Sequence, residues 1–241
     1  MEIVIYGAGV LAQLTKESVI TSGSNVAGMI DPLGNTEYKS LKDFDKDCDI
    51  IIDFSHFSSL NDILEYAVKN KKPVIIATTG HSKEQTALIE EAAKHIAVLK
   101  ATNTSFGVTM VNEILSYAAK LLKGFDIELI EKHHNRKIDS PSGTAETMLE
   151  VIQASINEDR DLVYGREGNS KRTAKEIGVH SVRAGNIVGE HTVIFSRGDE
   201  IIEIKHEALS RKMFADGAVD AALKLVNKKS GLYSMKDLLI V

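Results

Sequence analysis

Six residues near the start, Gly7-Ala8-Gly9-Val10-Leu11-Ala12, follow a short apolar run and lead into a helical pattern. A G-x-G-x-x-G/A turn between strand and helix constrains this chain more than any other feature. The first glycine permits the tight turn, the second lets backbone approach a pyrophosphate, and the small sixth residue lets helix and strand pack closely. The helix start then offers N–H groups and a partial positive charge to phosphates. The plain alternative is a structural turn. An acid, Asp31, follows about 20 residues on, where a ribose-binding carboxylate belongs, and favours dinucleotide binding. A carboxylate there accepts from a ribose 2′-hydroxyl and repels a 2′-phosphate, so the balance leans to NADH. Lys39 keeps NADPH open.

The pattern around the turn agrees with it. Apolar runs at 2–7, 25–31, 49–55, 73–80 and 97–101 alternate with helical stretches at 10–22, 60–70 and 84–95. Runs such as Ile50-Ile51-Ile52 are continuous rather than alternating, which predicts strands buried on both faces of a parallel sheet. The fold class is α/β, with an N-terminal Rossmann-type parallel sheet. Near residue 104 the pattern changes. A helix is expected over 108–122, a strand over 126–132, a helix over 143–156, and a long polar loop over 157–175. Strands follow at 178–183, 190–196 and 201–206, the last two joined by the turn Arg197-Gly198-Asp199-Glu200, before a closing helix at 214–226. This reads as an α+β domain with a mixed, largely open sheet. The expected division is a dinucleotide-binding domain over 1–104, with 215–241 packing back on it, and a substrate domain over 105–214.

Composition removes other classes. A net charge of −5 without a basic run argues against nucleic acid or an anionic membrane as partner. The single cysteine, Cys48, excludes a disulfide framework and a cysteine-based zinc site, and is expected to be a buried thiol. The first residues run straight into a strand with no basic region or cleavage site. No apolar run is long enough for a bilayer, so the expected setting is the cytoplasm.

Functional side chains concentrate at 131–145, EKHHNRKIDSPSGTA. His133, His134, Arg136, Lys137 and Asp139 precede Pro141-Ser142-Gly143-Thr144, which opens a helix. A helix start with a glycine, two hydroxyls and a nearby lysine suits an anion, and a histidine supplies a proton near neutral pH. The cluster fits a carboxylate-bearing substrate that is protonated during reaction. Three other readings compete. The residues are a solvated polar loop, or a metal site, or Ser142 is a nucleophile. Adjacent histidines on a strand face opposite ways and no ligand set completes a metal site. G-x-S-x-G is absent, and Ser142 has the look of a helix cap. For both histidines to meet one substrate, the strand must end or bulge there.

The stretch 131–145 resembles the signature of the dihydrodipicolinate reductases. Further matches are the glycine turn, Asp53-Phe54-Ser55, Ala77-Thr78-Thr79-Gly80, the segment with Asn103 and Ser105-Phe106-Gly107-Val108, and residues 183–191, RAGNIVGEH. The resemblance implies NAD(P)H-dependent reduction of 4-hydroxy-tetrahydrodipicolinate to tetrahydrodipicolinate, in the diaminopimelate route to lysine. It implies that His133 and Lys137 handle protons and that His134, Gly143 and Thr144 bind substrate. Gly7, Ala8, Gly9, Val10, Leu11, Ala12, Asp31, Ala77, Thr78, Thr79, Ala101, Thr102, Asn103 and Thr104 would contact the cofactor. It also implies a homotetramer built through the sheet of the second domain. The other histidines, His56, His81, His95, His180, His191 and His206, are expected to be structural or surface groups. The turn here lacks the family's usual arginine, and Ala77 stands where the family has glycine. Two alternatives stay open: another two-domain amino or imino acid reductase, and a non-catalytic dinucleotide sensor.

Overall fold

A computed structural model describes residues 1–156 and 158–239. Asn157, expected to begin the long loop, and Ile240 and Val241, expected at the end of the packed tail, lie outside the described residues. The chain forms two compact units, one from Met1–Phe106 with the segment from Arg211 onward, the other Gly107–Ser210.

The first unit holds β1 (Glu2–Tyr6), α1 (Val10–Thr21), β2 (Asn25–Ile30), β3 (Ile50–Asp53), α2 (Leu60–Asn70), β4 (Val74–Ile76), α3 (Lys83–Ala93) and β5 (Ala97–Lys100). All the strands pair in parallel, and the sheet order is β11-β5-β4-β3-β1-β2, with β11 at Gly231–Tyr233. Successive residues serve opposite faces. Ile3, Ile5, Ile50, Ile52, Ile75 and Leu99 pack with α1 and with α6 (Lys212–Leu225). Val4, Tyr6, Ile51, Val74, Ile76 and Val98 pack with α2 and α3. Burial on both faces is why the apolar runs are continuous. Cys48 is buried in the second of these cores.

α6 approaches the end of the sheet closely because Gly217 has no side chain. A Cβ there would overlap the Thr104 carbonyl oxygen and lie 3.4 Å from the Phe106 nitrogen. The Thr104 hydroxyl donates to the Phe214 carbonyl at 2.6 Å in the same contact.

The second unit takes in most of α4 (Phe106–Leu121), then β6 (Asp126–His133), α5 (Gly143–Ile156), β7 (Asp161–Tyr164), β8 (Glu176–Arg183), β9 (Gly189–Arg197) and β10 (Glu200–Ala208). Its sheet runs β10-β9-β6-β8-β7 and is mixed: β6, β8 and β7 pair in parallel, while β9 is antiparallel to β6 and β10. Along β6 the burial alternates. Ile127 and Leu129 join Ile177, Val179, Val193 and Phe195 beneath α4 and α5. The β9–β10 hairpin turns on Gly198 at φ 58, the first of two central residues, where a type II′ turn requires glycine.

The expected loop 157–175 contains β7, a strand too short and too closely surrounded by polar residues to show a period. Arg172 ties down the rest of that segment, donating to the carboxylates of Glu128 (3.0 Å) and Asp126 (2.6 Å). The short β11 and the last helix α7 (Met235–Leu239) also lay below the threshold of a periodic signal. Among the described residues no helix is long and apolar enough to cross a membrane.

Candidate functional site

In the first unit the carboxyl ends of β1 and β3 lie side by side, where the strand order reverses; ligands bind such open parallel sheets at that point. Gly7 adopts φ 129, and a Cβ there would stand 2.6 Å from the Phe54 carbonyl oxygen. Only glycine fits between these two strand ends. Gly9 caps α1 with no side-chain hydrogen bond and no acid in the first turn. A Cβ on Gly9 would meet nothing within 4 Å, so the helix start faces open space. Ala12 is fully buried beneath the helix, Val10 is exposed, and Ala8 and Leu11 are half-buried. This arrangement fits a pyrophosphate on the α1 N-terminus.

Asp31 directly follows β2 and is buried. One carboxylate oxygen accepts from Asn35 twice, from its side-chain amide at 2.7 Å and its backbone N–H at 3.2 Å. The Lys39 side chain lies beside the same turn, against Gly34. At the end of β4, Ala77 and Thr78 are half-buried and Thr79 is exposed. The Thr78 hydroxyl accepts from the Ser55 N–H at 3.1 Å. Asp53 is buried, accepts from the Ser55 N–H at 2.9 Å and from its hydroxyl at 2.5 Å, and burial pushes its carboxyl up. After β5, Thr102 is exposed and Asn103 half-buried, the latter accepting from the Ser105 N–H at 2.8 Å. Ala101 and Thr104 are buried, and the Thr104 hydroxyl is engaged with α6. Of the residues expected to touch cofactor, Ala12, Ala101 and Thr104 therefore present packing surfaces.

In the second unit the apolar face of the sheet becomes polar toward the end of β6. Glu131 and His133, two residues apart, share the face that Ile127 and Leu129 occupy further back. Parallel pairing brings Arg183 beside His133, and antiparallel pairing brings His191 beside Glu131. Glu131 is fully buried. Its carboxylate accepts from His133 Nδ1 at 2.6 Å and from both terminal nitrogens of Arg183, at 2.7 and 2.8 Å. Burial pushes the Glu131 carboxyl up, but the bonds from His133, Arg183 and Ser181 outweigh it and hold the group well below the usual carboxylate range.

β6 ends at His133, so His134 lies beyond the strand, which removes the alternation problem for the two histidines. The Ala184 N–H donates to the His133 carbonyl at 2.9 Å, and Asn135 N–H to Gly185 at 3.2 Å, fastening this end to the 184–188 loop. Arg136 donates to the Asn186 side chain at 3.0 Å. Lys137 closes a turn onto the His134 carbonyl, and its ammonium meets both oxygens of Asp139 at 2.7 and 2.8 Å. The Lys137 contact holds the Asp139 carboxyl below its ordinary value.

The chain then enters α5. The Ser142 hydroxyl accepts from the Ala145 N–H at 3.2 Å, a helix cap as expected, and bonds His191 Nε2 at 2.8 Å. Gly143 is exposed with open space where a Cβ would be, and Thr144 is half-buried beside it. The His133 and His191 rings meet edge to face, centroids 5.2 Å apart. His191, expected to be a structural or surface group, is a buried one that forms a wall of this cluster. Its neighbours arrive through sheet register, which nothing within residues 186–196 announces. Arg183, part of the matched stretch 183–191 but given no role by it, reaches Glu131 in the same way. The pairing of Glu131 with His133 had a signal, because residues two apart on a strand share a face.

Burial first, and then the neighbouring His133, push the His191 imidazole down to about 4, with Glu131 acting in the opposite sense. A histidine neutral in the fold but ionisable in the unfolded chain contributes stability above its unfolded value of 6.5. That contribution is lost as pH falls toward 4. Urea unfolding is expected to show the second unit losing roughly 3 kcal/mol over that window. His191→Gln is expected to flatten the slope, and a wild-type profile level from pH 7 to 4.5 would contradict a buried neutral His191.

The comparisons with known proteins agree in both units. The family model for the dihydrodipicolinate reductase N-terminus matches residues 5–104, and that for the C-terminus matches residues 107–239. A 4-hydroxy-tetrahydrodipicolinate reductase of Brachyspira hyodysenteriae is 46% identical over 240 residues, covering 99% of this chain and all of the relative. A protein of the same name from Clostridium tetani is 48% identical over 194 residues, 80% of this chain and 76% of its own length. Among solved structures, the dipicolinate-bound dihydrodipicolinate reductase of Paenisporosarcina sp. TG-14 shares the fold, with a TM-score of 0.76 at 20% identity over 98% of both chains. With matches running from residue 5 to residue 239, and near half of all positions shared along the full length of a relative, the chain belongs to the dihydrodipicolinate reductase family.

Proposed function

We propose that this chain reduces 4-hydroxy-tetrahydrodipicolinate to tetrahydrodipicolinate with a reduced nicotinamide dinucleotide. The observation that carries the reading is the linkage of His133, the Lys137–Asp139 pair and the start of α5 at one polar end of the second sheet: Arg183 joins Glu131 to the Asp139 carbonyl, and His191 joins the His133 ring to Ser142. When bound, the cofactor supplies the hydride. The glycine turn and the open α1 start hold its pyrophosphate, and Asp31 receives its ribose. That carboxylate makes NADH the preferred cofactor, with Lys39 close enough to the turn to admit NADPH. Lys137 exchanges Asp139 for a substrate carboxylate, with His134, Gly143 and Thr144 completing the seat. His133 and Lys137 move the protons that accompany hydride arrival and the departure of the ring hydroxyl as water. Their positive charge meets negative charge developing on the ring. The enzyme works as a homotetramer in the cytoplasm, as the family resemblance implies.

A substrate profile tests this against another imino acid reductase. The cyclic dicarboxylate is expected to exceed cyclic imines with a single carboxylate by about 100-fold or more in kcat/KM, because losing one carboxylate leaves Lys137 and the helix start without a partner. Equal rates with a monocarboxylate would refute the assignment of substrate.

A further inference from the structure

We propose that Glu131 is a positioning residue for His133. Clamped by Arg183, it takes the Nδ1–H of the ring and so leaves Nε2 as the nitrogen that exchanges a proton with substrate. The proposal rests on the reading of His133 as a proton-handling group and adds to it which nitrogen acts and what selects it.

Three observations carry it. The first is chemical. An ionised carboxylate only accepts, so His133 Nδ1, at 2.6 Å from Glu131, must be the donor in that contact. In a neutral imidazole the remaining nitrogen then bears the lone pair. The second is rigidity. Glu131 has no exposed surface, and Arg183 grips both of its oxygens while also donating to the Asp139 carbonyl at 2.8 Å. The carboxylate has no room to turn, and one guanidinium ties it to the loop that carries Lys137. The third is a close approach on the far side of the ring, where only a residue without a side chain leaves Nε2 uncovered. A Cβ at residue 189 would lie 3.0 Å from His133 Nε2, and Gly189 leaves that position empty.

The charges around the ring suit the same arrangement. Glu131 faces it from β6, Arg183 from β8 and His191 from β9, with His206 paired to His191 on β10. Lys137 and Asp139 stand in the adjoining loop. Arg183 balances Glu131, so the carboxylate stays ionised whether or not the ring carries a proton. Burial keeps His191 and His206 below the ordinary histidine range.

Nitrogen-15 spectra of the full chain test the wild type directly. Neutral His133 is expected as the Nδ1–H tautomer, and a neutral Nε2–H form overturns the proposal without any variant. Glu131→Gln offers the ring an amide and leaves Arg183 uncompensated. Its expected effects are a shift of His133 toward Nε2–H, a lower His133 titration midpoint, and a fall in kcat of roughly 10- to 100-fold, the scale seen when a carboxylate orienting a functional imidazole is lost. KM for the cyclic dicarboxylate is expected to stay within about twofold, because Glu131 does not touch it. A kcat within twofold of wild type, an unchanged tautomer, or a loss confined to KM overturns the positioning role. The underlying reading fails separately: a His133→Gln enzyme with wild-type kcat refutes it and leaves the tautomer result standing.

Discussion

His133→Gln is expected to lower kcat for the cyclic dicarboxylate by about 100-fold or more, the usual scale for a lost acid–base group. Glutamine keeps a polar side chain of similar reach but holds no exchangeable charge near neutral pH. Dinucleotide affinity is expected to stay unchanged, because the glycine turn belongs to the other unit. The two readouts separate the readings: a chemical role loses turnover alone, whereas general damage loses both. Steady-state kinetics with a parallel binding titration decide it, and turnover at the wild-type rate would remove His133 from the mechanism.

Gly217→Ala is expected to produce the largest loss of stability. In an exposed helix this change stabilises, since alanine is the better helix former by about 1 kcal/mol. Here the new methyl would overlap the Thr104 carbonyl, a backbone atom held by the hydroxyl bond to Phe214 and by the turn into α4. A backbone neighbour cannot rotate away as a side chain can. Overpacking of this kind costs about 3 kcal/mol or more. Thermal unfolding of the first unit is expected to drop by about 10 °C, and an unchanged or raised midpoint would show that α6 does not press on Thr104 as described.

Helix propensity alone gives the opposite sign for Gly217, and the difference shows where sequence reasoning stops. Local features were legible. The glycine turn, the capped start of α5 at Gly143 and its end at Ile156 are all signalled by residues within a few positions. Continuous apolar runs identified the parallel sheet because burial on both faces leaves no polar alternation. What stayed hidden depends on register. Arg183 reaches Glu131 from 52 residues away, and Ser142 reaches His191 from 49. Those distances become contacts only once β8 and β9 flank β6. The close approach behind Gly217 is hidden in the same way, 113 positions of chain being folded back before α6 meets Thr104. β7 and β11 were hidden for a different reason. They are four and three residues long, and their partners rather than their own pattern make them strands.

The dense polar stretch at 131–145 also changed meaning in three dimensions. Its first residue, Glu131, entered as an unassigned acid and is the buried anchor of the cluster. Lys137, expected to face substrate, is held by Asp139, and the proposed function makes substrate binding an exchange of carboxylates. His134 stands beyond the end of the strand, one of the two outcomes that let both histidines meet one substrate.

The central claim is that this chain transfers hydride to a cyclic dicarboxylate. It is tested most directly by a coupled assay in which a synthase generates the unstable substrate in place, with NADH and NADPH offered in turn. The account predicts oxidation of one reduced nicotinamide for each dicarboxylate consumed, faster with NADH. A chain that binds the dinucleotide yet leaves it reduced in the presence of the dicarboxylate would contradict the account and mark the protein as a sensor.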